Sequence, residues 1–153
     1  MIYEIPDAEP LDLRTIILDL NGTLSVSGVV PDGVQERITK LKQRGFEIIL
    51  FTGNTRGNAN ELAQSLGIEW RLAANGAEKR DLALKMNPEY CVSIGNGLID
   101  LELMKVVKFR MVTIQAESVH VQTLLNSDVI VPTIINALDM LLDPNILIAT
   151  IRP

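Results

Sequence analysis

Asp19 closes the apolar run Thr15-Ile16-Ile17-Leu18 and opens the polar turn Leu20-Asn21-Gly22-Thr23. A carboxylate at the carboxyl end of a buried strand stands where parallel α/β sheets place their chemistry, which makes Asp19 the first candidate nucleophile. Alone, Asp-x-x-Gly-Thr says little, because strands in many α/β proteins end in an Asp-containing turn. Other strand ends add to it. Thr52, with Asn54 and Thr55, follows Phe46-Glu47-Ile48-Ile49-Leu50-Phe51, and Asn96 and Asp100 follow Tyr90-Cys91-Val92-Ser93-Ile94. Lys79 sits on a helical pattern that begins after Ala74-Asn75-Gly76 and leads back to the same rim.

The elements that must position these groups are legible as an alternation. Strands are predicted over Thr15–Leu18, 46–51, 68–72, 90–94, 110–114 and 128–131, the third polar enough to lie at the sheet edge. Between them, Val34, Ile38 and Leu41 predict a helix of about three turns that opens at Pro31-Asp32-Gly33 and stops at Gly45. Ala59, Leu62, Ala63 and Leu66 mark the next helix, closed by Gly67; Lys79, Leu82 and Met86 another; Leu101, Met104 and Val107 a fourth. Helices around Val121 and Leu124, and through Ile135, Leu138 and Leu141, complete the series. Strands alternating with helices predict an α/β fold with a mainly parallel sheet covered on both faces. Residues 1–13, with Pro6 and Pro10, are expected to form an edge strand or hairpin against the first core strand. The apolar tail 145–153 either folds back on the core or joins a subunit contact.

At 153 residues the chain fits one domain, 1–153, that needs no metal or disulfide to hold it. Cys91, the single cysteine, reads as a buried strand thiol and suits a reducing cytoplasm. No apolar run approaches the ~20 residues that span a bilayer, and Glu4 and Asp7 replace the basic start of an export signal, so no membrane association is expected. A net charge of -5 argues against a nucleic-acid surface.

The order Asp19-x-Asn21-Gly-Thr-Leu, a strand ending in Thr52, Lys79, then Gly95-Asn96-Gly97-x-x-Asp100 resembles the haloacid dehalogenase superfamily of phosphotransferases. Within it, the chain looks most like the small soluble proteins related to the phosphorylation domain of P-type ATPases. The resemblance implies a Rossmann-like three-layer sandwich and an aspartyl phosphate formed on Asp19. It also implies Mg²⁺, held by Asp19, the backbone carbonyl of Asn21 and Asp100, with Asn96 beside them. Thr52 would bond the phosphoryl oxygens, Lys79 would neutralise Asp19 and phosphate, and the Gly22-Thr23 and Gly53-Asn54 turns would hold the substrate. A cation is needed because a carboxylate cannot otherwise approach an anionic phosphate.

Departures from the family pattern matter as much. Where Asn21 stands the family carries a second Asp that protonates the leaving group, and an amide cannot move that proton, so hydrolysis is expected to be slow. Asn96 replaces another acid and Ile99 an Asn, which weakens the metal site. No cap domain fits in 23–31 or 53–79, leaving an open site that a second subunit or a protein partner would cover. The expected substrate is a phosphorylated small molecule or a nucleotide with a good leaving group. The competing function is a non-catalytic protein that binds phosphate, metal or a partner at the same rim. A receiver domain also uses Asp, Thr and Lys, but carries the acceptor on a middle strand. Residue by residue, Asp19 could be a turn residue, Thr52 could bond its own turn, Lys85 rivals Lys79, and Asp100 could serve only its helix. His120 reads as structural or exposed, while Trp70, Arg56 and Arg110 fall into no pattern. Asn21-Gly22 and Asn96-Gly97 are candidate deamidation sites, because the small following residue leaves the backbone free to attack the amide.

Overall fold

A computed structural model describes residues 1–153. Its centre is β3 (Thr15–Leu18), four residues of which every one is buried, flanked by β4 (Glu47–Thr52) and β6 (Cys91–Gly95). With β5 (Glu69–Leu72), β7 (Phe109–Thr113) and β8 (Val129–Val131) they form a six-stranded sheet in the order β5-β4-β3-β6-β7-β8. Every pairing in it is parallel. The chain winds outward from β3 to β5, then crosses back to β6 and winds out the other way. That reversal opens a crevice between the ends of β3 and β6, the place where open α/β sheets take their ligands.

Alternating side chains divide the core. Ile16, Leu18, Ile48, Leu50, Val92 and Ile94 join the larger cluster with residues of α1 (Val34–Gln43), α2 (Ala59–Leu66), α6 (Ile134–Leu142) and α7 (Pro144–Ile151). Ile17, Ile49 and Phe51 face the other way, toward Ala83 of α3 (Gly76–Leu84) and Leu103 of α4 (Leu101–Met104). A short α5 (Val121–Leu125) precedes β8. Helices therefore cover both faces, and no inserted domain stands in 23–31 or 53–79. No single helix is long and apolar enough to cross a membrane, and the apolar pair α6 and α7 is bent by 99° at its break.

Two expectations change. The N-terminal residues do form a hairpin, β1 (Ile2–Tyr3) against β2 (Leu11–Asp12), but it is a separate two-stranded sheet. It cannot sit at the edge of β3, because β4 and β6 already occupy both sides of that strand. It is anchored instead through the buried Tyr3, whose hydroxyl donates to the Leu141 carbonyl at 2.6 Å. The helix expected through Leu101, Met104 and Val107 is shorter, a 3-10 turn at Leu98–Asp100 running into the single turn of α4, because the chain must reverse in time to start β7 at Phe109.

The tail takes the folded-back alternative. Leu147 is completely buried and Ile148 and Ile151 pack against the larger core, whereas Ile146 is 45% exposed. Leu147→Ala is therefore expected to cost about 2–5 kcal/mol by urea unfolding. Ile146→Ala is expected to change stability by only about 0.5 kcal/mol. Equal losses would contradict this packing.

Candidate active site

Because β3, β4, β6 and β7 are parallel, their carboxyl ends share one rim. Odd-numbered residues of β3 face α3, and Asp19, just past the strand, lies on that side, where Lys79 can reach it. The Lys79 ammonium is wholly buried and donates to Asp19 Oδ1 at 2.6 Å and to Asp100 Oδ1 at 2.8 Å. Asp100 Oδ2 accepts the backbone N–H groups of Asn96 and Gly97, each at 3.0 Å. Gly95 makes this possible, since a Cβ there would lie 2.5 Å from the Asp100 carboxylate. Two carboxylates thus share one ammonium out of water. Burial, helped by the Asp100 charge, pushes Asp19 up to about 7, with Lys79 pulling the other way. Burial alone would lower Lys79, but the Asp100 and Asp19 carboxylates outweigh it and raise its pKa. Lys85 is exposed and touches neither carboxylate, so of the two lysines it is Lys79 that the fold brings to Asp19 and Asp100.

The other predicted residues are arranged less simply. Thr52 is buried at the end of β4, and its oxygen accepts the Asn54 N–H at 3.1 Å, which leaves its hydroxyl proton free. Asn54 has φ +54°, and its side chain accepts the Ala59 N–H, capping the start of α2. The Gly53 N–H has no partner in the protein. Thr23 is buried, and its hydroxyl donates to Asn96 Oδ1 at 3.2 Å. The Asn96 amide donates in turn to the Ser118 carbonyl at 2.9 Å, so Asn96 braces two loops. The Gly22 N–H bonds the Ser25 carbonyl at 2.8 Å, which ties up the nitrogen that deamidation of Asn21 would use. Of the turn residues expected to hold a substrate, Gly53 keeps an unspent backbone N–H and Asn54 an unspent side-chain amide nitrogen, while Gly22 and Thr23 shape the turns. His120 is exposed, with its ring accepting the Gln122 N–H at the start of α5.

For a divalent cation the donor set is lean. Asp19 and Asp100 supply carboxylate oxygens, and the Asn21 carbonyl accepts no hydrogen bond from the protein. No cluster of three His, Cys, Asp or Glu side chains forms. Few protein oxygens of hard character suit Mg²⁺, which keeps several of its waters.

Three residues outside the predicted set shape the rim. Gln115, just past β7, donates to the carbonyls of Gly22 at 2.9 Å and Thr23 at 2.7 Å, and accepts the Ile134 N–H. Glu117 accepts the Ser27 N–H at 3.0 Å. Arg56 donates to Asn21 Oδ1 at 3.3 Å and lies 3.9 Å from Glu117. Their one signal in the sequence is position, polar residues just beyond the ends of β4 and β7.

Residues 16–81, which include Asp19, Thr52 and Lys79, match the model of the haloacid dehalogenase-like hydrolases. Over 124 residues the chain is 26% identical to a soluble P-type ATPase-like phosphatase of Methanocaldococcus jannaschii, covering 78% of this chain and 45% of that one. Over 98 residues it is 34% identical to a putative phosphatase of Haemophilus influenzae, covering 62% of this chain and 35% of the other. It spans less than half the length of both curated relatives. Its fold is that of 3-deoxy-D-manno-octulosonate 8-phosphate phosphatase from Moraxella catarrhalis, solved with magnesium and phosphate ions, at a TM-score of 0.69 and 20% identity over 92% of this chain and 94% of that one. Residues 16–81 thus carry the similarity to the haloacid dehalogenase-like hydrolases, and the fold of the chain is shared with the Moraxella phosphatase.

The buried charges predict a pH dependence in metal-free protein. The native state keeps a proton on Asp19 up to about 7, whereas an unfolded Asp releases it near 4. Stability in chelator should therefore fall as pH rises through that window, and Asp19→Asn should flatten the slope of the urea midpoint. Lys79→Met, which strands both carboxylates, is expected to cost about 3–5 kcal/mol at pH 8. A flat profile in the parent would contradict the burial of Asp19 as a shared charge.

Proposed function

We propose that residues 1–153 act as one catalytic unit, an Mg²⁺-dependent phosphotransferase or slow phosphatase that forms an aspartyl phosphate on Asp19. The observation that carries this reading is the Asp19–Lys79–Asp100 arrangement at the switch point of the sheet. An Asp19 oxygen attacks phosphorus as the bond to the leaving oxygen breaks. Lys79 keeps the carboxylate oriented and offsets the negative charge gathering around it. The Thr52 hydroxyl, its proton unspent, and the Gly53 N–H donate to the phosphoryl oxygens. Asp19, Asp100 and the Asn21 carbonyl would hold Mg²⁺, which would supply the remaining positive charge. The substrate is a phosphorylated small molecule or nucleotide, and the setting a reducing cytoplasm, in keeping with the single buried thiol of Cys91.

Asn21 sets the limit on rate. Its side chain lies within 3.5 Å of the Thr55 hydroxyl and accepts from Arg56, so it can orient groups but cannot shuttle a proton. Substrates with good leaving groups, acyl and aryl phosphates, should turn over, and the covalent intermediate should outlast the transfer step. Asn21→Asp is expected to raise phosphate release from an aryl phosphate about 10²–10⁴-fold, with Asp19→Asn abolishing release in either background. No gain from Asn21→Asp, or activity that survives Asp19→Asn, would refute the mechanism.

A further inference from the structure

Resting on the phosphoryl-transfer reading above, we propose that Arg56 recognises a second anionic group, a carboxylate or a further phosphate, on the leaving group of the substrate. Arg56 precedes α2, beside the flap formed by residues 21–30. Its guanidinium lies against Gly28, where a Cβ would come within 3.2 Å of Nη1 and 3.6 Å of Cζ. Gly28 adopts φ +82°, so the flap is built with both the conformation and the space that a flat guanidinium needs.

The cation seated there is loosely held. Its bond to the neutral Asn21 amide is long at 3.3 Å, its approach to Glu117 is longer at 3.9 Å, and its side chain is 49% exposed. Exposed pairs of that kind contribute little, so exchanging them for a ligand costs little. A planar anion offers better, two parallel charge-assisted bonds to the guanidinium fork. Location selects which part of a substrate that would be. Asn21 is two residues from Asp19, and the phosphoryl group on Asp19 is already served by the buried Lys79, whose ammonium is bound to two carboxylates. Arg56 is the cation on the outer side of Asn21, over the flap, where the rest of the substrate must lie. Without it the outer side of the mouth would present Glu117 with no cation beside it, which disfavours an anionic leaving group. Glu117 then serves to park Arg56 while the site is empty and to hold the flap through Ser27.

The test compares 2-nitrophenyl phosphate with its 5-carboxy derivative, which have similar leaving groups and differ by one anionic group, in the presence of Mg²⁺. The parent is expected to prefer the carboxylated compound in kcat/KM. Arg56→Gln should lower that preference by about 10- to 100-fold, chiefly through KM, since a hydrogen bond to a charged group is lost. Arg56→Lys, which keeps the charge and loses the fork, should retain part of it, and Gly28→Ala should erode it with Arg56 still present. A parent that does not discriminate, or an Arg56→Gln variant whose preference is unchanged, overturns the assignment of Arg56 while leaving Asp19 chemistry intact. Absence of Asp19-dependent turnover of both compounds overturns the two readings together.

Discussion

Two carboxylates and one ammonium, buried together where β3 and β6 part, set the terms for the rest of this molecule. Lys79 holds Asp19 at 2.6 Å and Asp100 at 2.8 Å, and the cluster carries one more negative than positive charge when all three groups are ionised. Buried charge of this kind is costly, and water can relieve little of it, since only the Asp19 side chain, 10% exposed, reaches the surface. The surrounding structure answers with fixed dipoles. The N–H groups of Asn96 and Gly97 point at Asp100, Gly95 clears the space, and α3 delivers the lysine from the face that Ile17 shares. That charge imbalance is what the proposed function uses, a further cation and with it an anionic phosphoryl group.

The loops around this cluster form a brace. Gln115 grips the carbonyls of Gly22 and Thr23, Thr113 also bonds Gly22, and Asn96 links Thr23 to Ser118. The turn that carries Asp19 is thereby tied to β7 and to the loop beyond it. The flap, by contrast, is fastened on its outer side by the exposed Arg56 and the half-buried Glu117, so the hydrogen bonding of the site thins from Asp19 outward.

Much of the fold was legible in sequence because the strands are buried on both faces and therefore read as short apolar runs. Their order along the chain, alternating with helical spacing, led to the parallel sheet that is observed. The hairpin at residues 1–13 was placed wrongly because sequence shows which residues can pair but not which strand edges are free. At the site, Asp19, Lys79 and Asp100 were legible as motif residues on strand ends and a helix start, and the structure joins them by direct contacts. Thr23 and Asn96 are spent on bracing, a role set by neighbours distant in the chain, and Asn54 Oδ1 caps the start of α2. Gln115 and Glu117 escaped notice, and Arg56 fell into no pattern, for the same reason. Their partners lie between 19 and 93 positions away, a relation with no periodicity to reveal it.

The central claim is that Asp19 accepts a phosphoryl group and, with Asn21 beside it, gives that group up slowly. The most direct test is the intact mass of the protein after brief incubation with acetyl phosphate and Mg²⁺, followed by hydroxylamine, which cleaves acyl phosphates. The account predicts a single phosphoryl adduct that persists in the parent, disappears with hydroxylamine and is absent from Asp19→Asn. An adduct that forms equally in Asp19→Asn, or no adduct and no released phosphate in the parent, would contradict it.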